Sequence, residues 1–482
     1  MITYNLMNAG TDSLYEYLCK CIKKDIIRGT LKPGEKLPSK RIFASNLGVS
    51  VITVENAYAQ LVAEGYIYSV PKKGFYIADV GMLKTKDHAM VPEKAASLPV
   101  KEIAWFADFS SNQTSSDLFP FTIWSRGVRE ILSDSRVELM KNSPCGGISE
   151  LRENIARYLW DFRGMSVRSE QIIVGAGTEY LYGLLIQLLG NDKVYGVENP
   201  GYRKLEKIYG SYGVPCEWIS MDEAGILVQE LEEKNVDIIH ITPSHQYPTG
   251  IVMPVSRRSE LLQWAADKEE RYIIEDDYDS ELRLSGQPIP TLQGMDVSNH
   301  IIYMNTFTKT LCSTVRISYM ILPEKLMTRF YRQLSFYSCT VSNFEQYTLS
   351  RFIEEGKFET HVNRLRNHYR KKRDLLMEAL KRSRLKDRTT VSGEEAGLHF
   401  LMHIKTDLPE EQVIANAREK GIRLVPLSSY YYGTTKEKNV YVMNYSSIDI
   451  EKADEIIALY GPKSASLIPI MQDIQAEYRY LP

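Results

Sequence analysis

The chain has 482 residues, 44% of them hydrophobic and 25% charged, with a formal net charge of −2. That length exceeds one core and suggests about three structural units, while the ordinary composition excludes a disordered or collagen-like protein. The near-neutral charge is silent about nucleic acid, although the first 80 residues carry ten Lys/Arg against seven Asp/Glu. The six cysteines (Cys19, Cys21, Cys145, Cys216, Cys312 and Cys339) form no C-x-x-C pair and have no histidines at zinc-like spacing, so no metal site is expected. Scattered thiols, a start without the features of a signal peptide and no apolar run of ~18 residues predict a cytoplasmic protein with no membrane contact.

In chain order, Leu14, Tyr15, Leu18, Ile22 and Ile26 recur at helical spacing and stop at Gly29. A short helix begins at Leu37-Pro38-Ser39 and carries Ile42, Phe43 and Leu47. Gly48-Val49-Ser50 makes a turn, and Ser50 caps a further helix through Glu64 with the apolar face Val54, Ala57, Tyr58, Leu61 and Val62. Tyr66–Ser69 and Phe75–Ala78 then alternate as strands about the basic hairpin Pro71-Lys72-Lys73-Gly74. The segments Pro38-Ser39-x-Arg41, Leu47-Gly48-Val49-Ser50-x-x-Thr53-Val54 and Ala63-Glu64-Gly65-Tyr66 resemble the winged helix of GntR regulators. That resemblance implies operator DNA as a partner. Thr53 and Asn56 lie on the helix that would enter the major groove, beside the Ser50 cap and near Gln60. Ser39, Arg41, Lys72 and Lys73 are suited to phosphate or minor-groove contacts. A packing or dimerisation module is the competing reading.

From Asp79 to about Ile103, charged residues and prolines break any apolar period, which predicts a linker. Apolar runs then recur at 172–174, 194–197, 216–219, 237–241, 271–275, 300–304 and 317–322. Helical patterns separate most of them, so a mostly parallel sheet of about seven strands is expected. A long helix over about 357–383 leads to strands at Leu398–Ile404 and Val440–Met443 in a smaller α+β part. The tail from Lys463 carries no functional reading.

The run Ile301–Met304 ends in Asn305-Thr306-Phe307-Thr308-Lys309-Thr310, followed by Arg316. A lysine amine can form a Schiff base with an aldehyde, and the hydroxyls with Arg316 suit a phosphate. The strand Tyr272–Glu275 ends in Asp276-Asp277-Tyr278-Asp279, where Asp276 could keep a pyridine nitrogen protonated. Ile172–Val174 runs into Gly175-Ala176-Gly177-Thr178 at a helix start, whose amides suit an anion. Together these indicate pyridoxal 5'-phosphate.

With Asn199-Pro200-Gly201-Tyr202 and Pro248-Thr249-Gly250, residues from about 105 to 460 resemble class I aminotransferases of the aspartate aminotransferase fold. The whole chain is most similar to the MocR-type regulators of the GntR family. The resemblance implies a winged helix-turn-helix over 10–79, a linker over 80–104, and a body over 105–462 of the α/β PLP-dependent transferase fold type I. The large part of that body would span about 120–340, and the small C-terminal α+β part about 360–462. It further implies that Lys309 forms the Schiff base, Asp276 faces the pyridine nitrogen, Tyr278 meets the phenolic oxygen and Tyr202 stacks on the ring. Gly177, Thr178, Thr306, Thr308 and Arg316 would hold the phosphate. A homodimer is implied, with a head-to-tail domain-swapped arrangement as one form.

Two departures bear on activity. Ser447, in Asn444-Tyr445-Ser446-Ser447-Ile448, stands where the family's carboxylate-binding arginine would fall. The family's turn asparagine is also missing before Pro248, where Gln246-Tyr247 stand. Lys204 is a second basic position near Tyr202, so Lys204 and Ser447 mark the expected effector side. The reading is a PLP-dependent transcription regulator that senses PLP, an amine or an amino acid with little or no transaminase turnover. The alternative is a working aminotransferase of the aminoadipate or kynurenine type.

Overall fold

A computed structural model describes residues 2–4, 12–80 and 105–448, apart from 112–113, 135–136, 285, 287–288, 384, 396, 434 and 436. Nearly all of the expected linker, the end of the expected small part and the tail lie outside the described residues. The chain divides into two units, Met1–Ile103 and Ala104–Pro482.

In the first unit, helix α1 (Leu14–Ile27) precedes α2 (Lys40–Leu47), α3 (Val51–Ala63) and the hairpin β1 (Ile67–Val70) and β2 (Gly74–Ile77). Ser39 and Ser50 cap α2 and α3, each accepting from the amide three residues on. Gly48, at φ 66°, ends α2 in the left-handed conformation that lets the chain turn at once into α3. Leu18, Ile22, Phe43, Val54, Tyr58 and Leu61 close the core. Two positions expected on the apolar faces point outward, since Ile42 is 59% and Val62 38% exposed. Each lies one residue, about 100° of helix, from a fully buried neighbour (Phe43 or Leu61), and a short helix buries only one narrow stripe.

The second unit holds an eight-stranded sheet among the described residues, one more strand than expected because Gly225–Ile226 folds back on Cys216–Asp222. The strand order is Ile172–Gly175, Ser318–Ile321, Ile301–Thr306, Tyr272–Asp276, Ile238–Ile241, Tyr195–Asn199, Cys216–Asp222 and Gly225–Ile226. Only Ser318–Ile321 and Gly225–Ile226 run against the others. The central strands read as unbroken apolar runs because both faces are covered. On one face Ile302, Met304 and Ile274 meet Leu181, Leu185 and Leu188 of the helix Thr178–Leu189. On the other, Tyr303 and Tyr319 pack with Leu151, Ile155 and Leu159 of the helix Ser149–Arg163.

The helix Lys357–Arg382 leads to a four-stranded antiparallel sheet containing His399–Ile404 and Val440–Asn444. Phe400 and Tyr441 of that sheet, with Tyr445 just after it, pack on Leu365 and Tyr369 of the helix. No helix among the described residues is long and apolar enough to cross a membrane.

Phe43→Ala should cost about 3–5 kcal/mol, because it empties a fully buried site in the head. Ile42→Ala, one residue away and exposed, should change stability by less than about 0.5 kcal/mol. Hydrogen exchange at the α1–α3 amides separates the two outcomes.

Candidate functional site

Because six strands run the same way, Gly175, Asn199, Asp276 and Thr306 all end at one edge of the sheet. The register pairs Thr306 with Ser318, Ser318 with Gly175, and Met304 with Asp276. The loops that leave this edge carry every body residue singled out above except Ser447.

Asp276 is 8% exposed. Tyr182 donates to its Oδ2 at 2.6 Å, and His240 Nε2 lies 3.4 Å from the same oxygen. Tyr209 holds the other nitrogen of His240 at 2.7 Å. Oδ1 of Asp276 is buried and has no hydrogen-bond partner among the described residues. Burial, only partly offset by the charge of Asp279, lowers the Lys309 amine to about 8. Asp279 itself accepts from His245 Nδ1 at 2.8 Å. The His399 ring sits 4.6 Å from that of His245. Burial, then the nearby His245 and Lys309, push its pKa well below the ordinary range. The Tyr278 hydroxyl donates to the His245 carbonyl at 3.1 Å, so it is not pointed at solvent.

On the other flank, hydroxyls form a chain. Ser318 Oγ donates to Thr306 Oγ1 at 2.8 Å, and Thr306 Oγ1 donates to Thr308 Oγ1 at 2.8 Å. Gly177 has φ 92°, and a Cβ there would sit 2.7 Å from Nη2 of Arg316. The guanidinium therefore lies against the turn that opens the helix at Thr178. Glu179 ion-pairs with Lys204, and its second oxygen lies 3.7 Å from Arg316.

Tyr202 is 46% exposed, and its ring lies 6.1 Å from Tyr247, edge to face. Its turn is clamped to a loop of the small part: Gly201 N donates to the Tyr430 carbonyl, while Asn199 exchanges two hydrogen bonds with the Tyr432 backbone. Gln246 does not face the site. Its amide donates to Glu198 and to the Pro200 carbonyl, and its oxygen accepts from Thr249 N. Ser447 is exposed and donates to the Asp108 carbonyl at 3.4 Å. It lines a separate cavity of about 700 Å³ with Phe119, Phe121, Trp124 and the loop Cys312–Val315. Among the described residues, no arginine lines that cavity.

In the head, Arg41, Asn56, Lys72 and Lys73 are exposed, whereas Thr53 is half-buried with its hydroxyl 2.8 Å from Ser50 Oγ. Lys72 stands at the hairpin turn with φ 62°.

Tyr182, His240, His245, Asp279 and His399 escaped the reading from sequence. Polar interruptions of buried apolar strands were the available signal, as in Ile238-Ile239-His240-Ile241 and Leu398-His399-Phe400. Tyr182 lay inside a helical apolar pattern and gave none.

The model of aminotransferase class I and II matches residues 107–455, and that of the gntR family of bacterial regulatory proteins matches 14–77. The HTH-type transcriptional regulator YdeL of Bacillus subtilis is 38% identical over 91% of this chain and 95% of its own length. The pyridoxine biosynthesis transcriptional regulator PdxR of Corynebacterium glutamicum is 30% identical over 92% and 95%. The probable rhizopine catabolism regulatory protein MocR of Rhizobium meliloti is 30% identical over 90% of each chain. The chain belongs to the MocR-type regulators of the gntR family. Kynurenine aminotransferase of Pyrococcus horikoshii shares the fold of the regulator's body, with TM-score 0.64 and 24% identity over 77% of this chain and 91% of its own. The cofactor of this family's aminotransferase-like body is pyridoxal phosphate.

An amine near pKa 8 is roughly one-tenth neutral at pH 7, against about 3 in 10,000 for a lysine near 10.5. Reductive methylation of the cofactor-free regulator should therefore modify Lys309 with a rate that is half-maximal near pH 8 and level above it. Peptide mapping across pH 6–10 reads this. A Lys309 rate still climbing at pH 10 would contradict the burial of its amine.

Proposed function

We propose that this MocR-type regulator reads operator DNA with its head and uses occupancy of the cofactor site in its body as the signal. The single observation that supports this most is the meeting at one sheet edge of Lys309, an amine whose surroundings lower it to about 8, with a half-partnered acid, Asp276. The residues suit pyridoxal phosphate. Asp276 Oδ1 lacks a donor that a protonated pyridine nitrogen would provide, and Arg316 with the Thr306–Thr308 hydroxyls suits a phosphate. Lys309 would take the aldehyde, Tyr278 would meet the phenolic oxygen, and Tyr202 would cover the ring. Gly177 and Thr178 would complete the phosphate cradle with backbone amides.

When bound, the cofactor supplies an electrophilic aldehyde on an electron-withdrawing ring. The chain's own contribution is to make the Lys309 amine easier to deprotonate than an exposed lysine, and to hold a carboxylate where the ring nitrogen needs it. An external amine held near Lys204 is the second reading, but the Glu179 ion pair already engages that lysine. The proposed assembly is a homodimer, whose paired heads gain from effective concentration.

Apo and PLP-loaded protein should differ in affinity for a DNA fragment selected by this protein from a random pool, with no amine present. Equal affinity and equal footprints would sink the idea of occupancy as the signal. Lys309→Ala should lose the bound-cofactor absorption band, and borohydride should fix the cofactor on Lys309 in the wild type; a label on another lysine would refute the assignment. Arg41→Ala should weaken binding to all DNA sequences with a shallower salt dependence, whereas Asn56→Ala should relax sequence preference. Filter binding over several salt concentrations distinguishes the two.

A further inference from the structure

Glu179 is the second residue of the helix that opens behind Gly177. One oxygen pairs with Lys204 and the other approaches Arg316 at 3.7 Å. The same Nη2 of Arg316 is the atom that a Cβ at Gly177 would strike. The guanidinium therefore lies between the backbone of the helix start and a carboxylate. Lys204 and Arg316 are the charged groups that face Glu179, and both shift its pKa downward, Lys204 most. A negative side chain in the first turn is favoured by the helix dipole for the same reason that an anionic ligand is. Glu179 and the ligand phosphate thus call on one set of positive groups.

We propose that Glu179 is an affinity-setting residue: a carboxylate that competes with the cofactor's phosphate for Arg316 and the start of the Thr178–Leu189 helix. This deepens the reading that occupancy is the signal, and it rests on it. A site filled permanently cannot report cofactor supply, and a competing charge raises the concentration at which the site fills. Lys204 has the opposite part. By neutralising Glu179 it limits the repulsion that a dianionic phosphate meets, so it acts on the cofactor through Glu179 without touching the reacting atoms.

The test titrates apo protein with pyridoxal phosphate and, separately, with pyridoxal, following the absorption change on binding. Glu179→Gln should tighten pyridoxal phosphate roughly tenfold, the size a unit charge exerts on a nearby dianion through partly exposed surroundings. Pyridoxal, which lacks the phosphate, should change by less than about twofold. Lys204→Gln should weaken pyridoxal phosphate and spare pyridoxal. Inorganic phosphate should compete with pyridoxal phosphate more strongly in Glu179→Gln than in the wild type. Unchanged or weaker pyridoxal phosphate binding in Glu179→Gln, or equal tightening of both vitamers, overturns the assignment. Lys204→Gln decides the matter if Glu179→Gln does not fold, since tighter or unchanged pyridoxal phosphate binding there overturns it equally. A wild type in which the cofactor binds but leaves DNA affinity unchanged would instead refute occupancy as the signal and leave the role of Glu179 standing.

Discussion

A carboxylate taken out of water must be partnered or bear a cost of several kcal/mol, and Asp276 is only half partnered. Tyr182 and His240 engage one oxygen, while the other is equally buried and meets no donor among the described residues. The fold is arranged so that this acid sits at a strand end and not in the core. The strand Tyr272–Asp276 is buried along its whole length and ends at the edge shared with Thr306 and Asn199. Burial likewise lowers the proton affinity of the Lys309 amine. A body that maintains an under-satisfied acid retains a cost that a bound ligand can relieve.

Around that pair, the edge divides its polar groups by task. The hydroxyl chain of Ser318, Thr306 and Thr308 lies on one flank, and the guanidinium of Arg316 lies against the turn at Gly177. His245, Asp279 and His399 form a second buried polar cluster on the lysine side. Gln246 ties the Pro248 turn to Glu198 and to the chain at Pro200, so that position locks the scaffold and leaves ligand recognition to its neighbours. The loop Tyr430–Tyr432 joins the small part to the turn that carries Tyr202.

Much of this was legible in the sequence for identifiable reasons. A strand covered on both faces is an apolar run, so Ile172–Val174, Ile238–Ile241 and Ile301–Met304 announced themselves, and the residues just after them announced the edge. Caps are local, so Ser39 and Ser50 marked their helices. Gly225–Ile226 was missed because a two-residue strand has no period to detect. Ile42 and Val62 were misplaced because which side of an apolar stripe is buried depends on what packs against it.

The sequence by itself determined the order of elements, the head-and-body organisation, and a lysine, an acid and an arginine spaced along successive loops, since these follow from local periodicity, turn chemistry and residue type. The tertiary structure decided which groups share a charge. Tyr182 and Asp276 are 94 residues apart, and His245 lies 34 residues from Asp279. Glu179 and Lys204, 25 residues apart, meet only because the helix Thr178–Leu189 and the turn after Asn199 rise from the same edge. No local rule encodes such pairings, because they arise when parallel strands buried on both faces bring all their carboxyl ends to one side.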